Sequence, residues 1–344
     1  MDSLTRRSFL SQALMAGAGA SFFRPHEILS GVKLASLLGS MEPDYDPGFV
    51  AGKIIASSET TLLILDLDDQ LRQARLTSTS QTWKRGLWNT TPPSVGDCTY
   101  ARGTPSPDGS IDVDRLWIDI QSVSAEVVAA TAGSFTVLLP TDQVQTLLVA
   151  PFTQVETPSG DWVSGTAEGL ASGQAIQLVA FGDSLGGLPT ATMVSLLSDS
   201  VPAVEQVAAD PTFLVLGTWY CCGGVQACGS SGSCLPGSGA CGVCRSDRKQ
   251  TAYPRLSTTN CEKCGTLSCC LALPMRACGA SATIVNPCNN SSVSVRIQDC
   301  IGSTASHSSV GCKSRHCRVL DLTPCAFSAI GNLDSGIINM NISV

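Results

Sequence analysis

Sixteen of the 17 cysteines in this 344-residue chain fall between Cys221 and Cys325, and that placement limits the possible folds more than any other feature. Thiols at this density are carried either as disulfide staples or as metal ligands, and both belong to small, loop-rich domains. The charge changes at the same border. Residues 1–216 hold 11 Lys/Arg against 23 Asp/Glu, and residues 217–344 hold 10 against 5, so a −12 segment precedes a +5 segment in a chain of net −7. With 43% hydrophobic and only 14% charged residues, the chain is not intrinsically disordered. Its acidic balance provides no molecule-wide basic field, which excludes non-specific nucleic-acid binding.

The N-terminus carries Thr5-Arg6-Arg7-Ser8-Phe9-Leu10 ahead of an apolar stretch from Ala13 to Phe23. Small-residue cleavage sites follow at Ala16-Gly17-Ala18 and Ala18-Gly19-Ala20. This block resembles a bacterial twin-arginine export signal, over residues 1–23, and is too short for a permanent anchor. The resemblance implies export to an extracellular, periplasmic or wall-associated location, where disulfides persist. Residues 24–47, with Pro25, Pro43 and Pro47, read as a linker.

Two stretches of the acidic segment resemble each other at a separation of 73 to 77 residues. Val50–Ala56 precedes Leu62–Leu65, as Val123–Ala129 precedes Phe135–Leu138. Val95–Ala101 leads to the turn Pro107-Asp108-Gly109, and Ser172–Leu178 leads to Ser184-Leu185-Gly186-Gly187. Short β-branched runs punctuated by Gly, Pro and Asp predict strands and hairpins. They resemble small barrels of the OB type over 48–121 and 122–205. OB barrels that hold nucleic acid use a basic groove and stacking aromatics. Here the segment is acidic, and Trp83, Trp88, Trp117 and Trp162 lie scattered along the chain, so spacer or protein-contact modules are expected instead. Asp66, Asp68 and Asp69 lack the Gly and distal Glu of a calcium loop and read as a solvated strand end. Phe181-Gly182-Asp183-Ser184-Leu185 is similar to the nucleophile block of GDSL hydrolases. That chemistry needs a His oriented by a carboxylate, and none of His26, His307 and His316 follows an Asp by three positions, so the esterase reading is rejected.

In the basic segment, Cys241-Gly-Val-Cys244 and Cys261-Glu-Lys-Cys264 have zinc-ribbon spacing. Twelve further cysteines surround them, including the pairs Cys221-Cys222 and Cys269-Cys270, so disulfides are expected and neither metal nor cofactor is assigned. Cys98 is then the odd thiol, either buried or forming an intermolecular link. Between the cysteines lie Gly217-Thr218-Trp219-Tyr220, Thr251-Ala252-Tyr253, Ala282–Asn286, a strand from Ser292 to Cys300 containing Asp299, and the block Val319–Ile342. That last block reads as strand, Asp321-Leu322-Thr323-Pro324, short helix, Gly336 and final strand, with Thr323 as helix N-cap and Pro324 at the first position.

This order resembles the double-psi β-barrel of the RlpA-like and expansin families over 217–344, within a domain spanning 206–344. The expected fold is therefore all-β, a C-terminal six-stranded double-psi barrel preceded by two small OB-like barrels. The resemblance implies an open polysaccharide groove with Thr218, Asp299 and Asp321 on its floor and Trp219 or Tyr220 beside them. Two carboxylates suit general acid/base work on a glycosidic bond if their environments separate their pKa values. Alternatively, Asp299 accepts backbone N–H bonds in a loop and Asp321 anchors the turn before Pro324. Related endoglucanases place an Asp after the opening aromatic pair, where this chain has Cys221 or Cys222. RlpA-type lytic transglycosylases carry a His where this chain has Leu271, and His307 and His316 read as surface residues of a disulfide-laced loop. The expected function is an exported, non-hydrolytic binder or loosener of wall polysaccharide, peptidoglycan or a cellulose-like glycan. The alternatives are a lytic transglycosylase using Asp299 as acid, and a barwin-like disulfide-rich protein-interaction module.

Overall fold

A computed structural model describes residues 44–139, 142–182, 187–196, 212–222, 236–257, 273–301 and 318–344, all within one compact unit, Glu42–Val344. Residues 1–23, read above as an export signal, together with His26, His307, His316, Cys261, Cys264, Leu271 and Ser184–Gly186 of the expected turn, lie outside the described residues.

The first six strands are β1 (Phe49–Ser57), β2 (Thr61–Asp66), β3 (Leu71–Lys84), β4 (Leu87–Trp88), β5 (Cys98–Pro105) and β6 (Ile111–Ile118). Alternation places Leu62 and Ile64 of β2 inside and their neighbours outside, the period-2 pattern of a half-buried strand. The strands close in the order β1-β2-β3-β6-β5, with β3–β6 parallel, which is the five-stranded ring of an OB barrel. Next come β7 (Ile120–Ala130), β8 (Ser134–Leu138), β9 (Val144–Glu156), β10 (Trp162–Ser164), β11 (Ala175–Phe181) and β12 (Thr190–Leu196). They repeat the ring as β7-β8-β9-β12-β11, with β9–β12 parallel.

The duplication reaches individual hydrogen bonds. Asp69 and Asp142, 73 positions apart in sequence, both adopt a left-handed φ (57° and 61°) and donate N–H to Asp66 and Leu139. The Gly96 N–H bonds Ile54 O as that of Gly173 bonds Val127 O, both at 2.8 Å. Each long strand also bulges away from its parallel partner, at Thr77–Ser80 and at Ala150–Thr153. In each bulge one hydroxyl accepts the N–H three residues back and donates to the partner strand. Ser80 takes Thr77 N–H at 2.7 Å, and Thr153 takes Ala150 N–H at 2.8 Å.

The third barrel is built from β13 (Thr212–Trp219), β16 (Gln250–Tyr253), β17 (Ser281–Val285), β18 (Ser292–Cys300), β19 (Arg318–Leu322) and β20 (Ile337–Ser343). Its ring, β13-β19-β16-β18-β17-β20, is closed, with β13–β19 and β16–β18 parallel and the other pairs antiparallel. Two parallel pairs require two crossover connections, the arrangement of the double-psi class. A small hairpin, β14 (Gly237–Gly239) and β15 (Gly242–Cys244), precedes β16. Helix α1 (Pro324–Ser328) follows β19 with Thr323 at the N-cap, but the Thr323 hydroxyl makes no cap bond. It accepts Gln250 N–H at 3.1 Å and donates to Arg248 O, tying the helix start to the segment entering β16.

The three barrels share packing surfaces, and this corrects one expectation from the sequence and extends another. Trp83, Trp88 and Trp117 are gathered, not scattered. Trp83 pairs with both of the others across the sheet, and Trp88 meets Trp117 edge-on at 6.3 Å. The indoles of Trp88 and Trp117 both donate to Asp334 of the third barrel, at 3.3 and 3.4 Å. Trp162 alone of the four is exposed, at 47%. Asp66 and Asp68 stand at the end of β2 as expected, with Asp68 exposed, but both are also engaged by protein donors. Asp66 closes its own turn by accepting the N–H groups of Asp68 and Gln70, while Asp68 receives both terminal nitrogens of Arg245 at 2.6 and 2.8 Å. Arg102 reaches from the first barrel to Ser328 Oγ (2.8 Å) and Cys325 O (2.7 Å) and pairs with Asp46 (3.2 Å). The end of the expected linker is also docked, since Asp44 accepts from Gln250 Nε2 at 2.7 Å and Arg248 lies over the Tyr45 ring. The second barrel joins through Phe181, edge-on to Trp83 at 6.3 Å.

Candidate functional site

Strand register builds one row across the third barrel. Thr218 lies beside Asp321, Asp321 beside Ala252, and Ala252 beside Asp299. The two aspartates therefore sit two strand spacings apart, about 10 Å between Cα atoms. Thr218 is fully buried and its hydroxyl donates to Asp321 Oδ1; Asp321 is 8% exposed. Asp299 Oδ1 accepts two backbone N–H groups, from Ala240 and Cys300, both at 2.7 Å. Its Oδ2 makes no hydrogen bond among the described residues.

The Ala240 donor comes from the β14–β15 hairpin, which leans on β18. Cys241 N–H bonds Gln298 O at 3.1 Å, and Gln298 Nε2 returns a bond to Cys241 O at 3.0 Å. Only a glycine fits at 239, because a Cβ there would stand 2.8 Å from Gln298 O and 3.0 Å from Asp299 Cγ. The sequence reading missed this hairpin as part of the site, although the run Gly237-Ser238-Gly239 before Cys241-Gly242 permits so close an approach.

Tyr220 joins the row. Side chains alternate along a strand, so Thr218 and Tyr220 share one face and Trp219 takes the other. The Tyr220 hydroxyl lies 3.1 Å from Cys244 Sγ. Burial, followed by the charges of Asp299 and Asp321, pushes its phenol well above the usual range and keeps it protonated. Burial likewise raises the Asp299 carboxyl; the two N–H bonds oppose the shift and the Asp321 charge adds to it. Trp219 lies elsewhere. It is 1% exposed, donates Nε1–H to Leu333 O at 2.7 Å and meets Tyr100 of the first barrel edge-on at 6.2 Å.

Disulfides brace this region. Cys222 pairs with Cys244 and Cys241 with Cys278, so the first half of the zinc-ribbon pattern is tied to cysteines outside it. Cys98, Cys221 and Cys300 are disulfide-bonded as well. Cys98 is thus neither a buried thiol nor a link to another chain. The buried thiol is Cys325, on α1 inside the barrel core, where burial pushes it far above the usual thiol range. Such a thiol is inert, and only Cys288 is an exposed free thiol among the described residues.

No protein-family model matches the chain, and no curated protein matches it. Among solved structures, a Streptomyces papain inhibitor is similar at 17% identity and a TM-score of 0.22, over 42% of this chain and 97% of that one. A likeness at that level carries no argument about activity. The fold and the bonded cysteines define an all-β, multi-barrel protein whose disulfides fit an extracellular setting.

Proposed function

We propose that this protein is an exported, non-hydrolytic binder or loosener of a cell-wall polysaccharide, peptidoglycan or a cellulose-like glycan, acting through its third barrel. One observation carries the reading. The row Thr218–Asp321–Ala252–Asp299 presents two carboxylates, each already held by protein donors, beside a protonated Tyr220. Groups fixed in this way suit the hydroxyls of a sugar chain as steady acceptors and donors. Inverting hydrolysis also needs a base that activates water. The position that related endoglucanases give to an Asp is here taken by Cys221 or Cys222, both disulfide-bonded. The arginine pair near the N-terminus and the disulfides support delivery by the twin-arginine route.

The test is retention of the purified chain on insoluble peptidoglycan, cellulose and chitin, with mass spectrometry of anything released. Retention without product is expected, and it should weaken in both Asp299→Asn and Asp321→Asn. The raised proton affinity of Asp299 favours one rival, a lytic transglycosylase. Anhydro-muropeptides that disappear in Asp299→Asn would establish that enzyme instead. No retention on any polymer would leave a disulfide-stapled protein-interaction module.

A further inference from the structure

We infer that the first OB barrel carries its own binding cleft for a neutral oligosaccharide, separate from the row in the third barrel. The cleft is an open depression of about 680 Å³ between the β1–β2 turn (Ser57, Ser58, Glu59), the β3 segment Leu76–Thr82 and the loop Asn89–Pro93. That volume lies within the usual range for small-ligand sites.

Comparison of the two repeats shows that the opening is not a consequence of the fold alone. The second barrel has the same ring, turns and bulge, but its counterpart loop folds inward. There the Ala167 N–H bonds Ala132 O, the counterpart of Glu59, and Ala167 and Leu170 are buried in the barrel core. In the first barrel the matching loop carries Thr90, Thr91, Pro92 and Pro93. It is held at its edges by Asn89 Oδ1, which accepts Thr82 N–H at 2.8 Å, and by Ser57 Oγ, which donates to Pro93 O at 3.2 Å. These bonds fix the two rims and leave the space between them open. The bulges differ in the same sense. Ala150-Pro151-Phe152-Thr153 turns Phe152 onto Gly86 of the neighbouring barrel, whereas Thr77-Ser78-Thr79-Ser80 keeps its exposed hydroxyls beside the cleft.

The lining chemistry selects the ligand class. Ser78, Thr82, Thr90 and Thr91 make no side-chain hydrogen bond among the described residues, and neither does the Glu59 carboxylate. Four free hydroxyls and one carboxylate can exchange donor and acceptor roles with the vicinal hydroxyls of a sugar. Leu76 and the Pro92–Pro93 pair supply the apolar surface that the C–H face of a sugar ring needs. No lining residue is cationic or aromatic, which disfavours phosphate-bearing and nucleic-acid ligands. A peptide would need apolar side-chain pockets, and one leucine with two prolines does not form them.

Calorimetric titration of the full chain with hexamers of β-1,4-linked glucose and β-1,4-linked N-acetylglucosamine tests this, with a 12-nucleotide single strand and a mixed decapeptide library alongside. Saturable binding of at least one hexamer is expected, weakened about tenfold in Thr90→Ala/Thr91→Ala and again in Glu59→Gln, as the loss of two or three hydrogen bonds predicts. All three positions are at the surface rim, so these variants fold. In an Asp299→Asn/Asp321→Asn background the rim variants should still lower hexamer affinity by about the same tenfold, which separates this site from the one in the third barrel. Failure of both hexamers to bind, binding indifferent to the rim variants, or binding of only the nucleotide or the peptides would each overturn the assignment.

Discussion

Asp119 stands at the junction of β6 and β7 in a left-handed conformation, φ 53°, with Cys98 N–H donating to its carboxylate at 2.9 Å. Burial pushes its pKa up to about 6, opposed by that N–H bond and reinforced by the charge of Asp97. An unfolded Asp titrates at about 3.9. Between about pH 4 and pH 6 the folded chain therefore holds a proton that the unfolded chain has lost, and stability falls as pH rises through this window. In Asp119→Asn, where Asn tolerates the same φ and still accepts the N–H, that component disappears. We expect the variant to match the wild type near pH 4 and to exceed it by roughly 1–2 kcal/mol at pH 7, after allowance for solvent screening. Denaturant melts across this range measure the difference, and parallel pH profiles would refute it. Single residues also mark where sequence reading succeeds and fails. The strands that bring Thr218, Asp321 and Asp299 into one row were legible because their patterns are local. Trp219 could be read either way until alternation along β13 and its partner Tyr100, 119 positions away in sequence, gave it to the other face. Cys325 looked like one more disulfide half, since nothing in its neighbours says that a helix start buries it.

At the scale of elements, the β14–β15 hairpin connects strand geometry with the candidate site. It delivers the Ala240 N–H to Asp299, and it lies close enough to β18 that Gly239 has no room for a side chain. Gly239→Ala should cost about 1–3 kcal/mol, within the range for overpacking a tight contact. The cost should be local. Hydrogen exchange at Ala240 and Cys241 is expected to accelerate while amides of β16 and β18 stay protected; equal loss across the barrel would show that the hairpin is not a separable cover. The strands themselves were largely readable. Period-2 alternation and Gly/Asp turns located the six strands of the last barrel, and the resemblance at a separation of 73 to 77 residues marked the repeated unit. The bulges at Thr77–Ser80 and Ala150–Thr153 were not readable, because a bulge is defined against a partner strand more than thirty positions away in sequence. Thr323 shows the same limit, for its position marked a helix start while its hydroxyl was committed to the chain before β16.

On the scale of the whole molecule, the charge split seen in the sequence becomes an internal contact. Asp68 and Arg245 are 177 positions apart and form a paired bridge, and Lys249 faces Asp46 at 3.5 Å. Composition reported the imbalance between the segments but not that the opposed charges meet within one molecule. Phe49, Trp83, Tyr100 and Trp117 of the first barrel are continuous with the core around Trp219 and Phe327 of the third. We expect these two barrels to unfold in one calorimetric transition. Arg102→Ala should lower its midpoint by removing the bonds to Ser328, Cys325 O and Asp46, a loss of roughly 2–4 kcal/mol. Two well-separated transitions, or an unchanged midpoint, would show that the contact does not couple them. The ring order of the third barrel also has a consequence for how the protein is made. Strand β20 lies between β13 and β17, so the circle stays open until synthesis has passed Ser343. A ribosome that stops short of Ile337 releases two bare strand edges, Thr212–Trp219 and Ser281–Val285, and bare edges recruit other chains. Barrel closure is thereby a check made by geometry: a chain cut before β20 keeps bare the edges that mark it for aggregation or proteolysis.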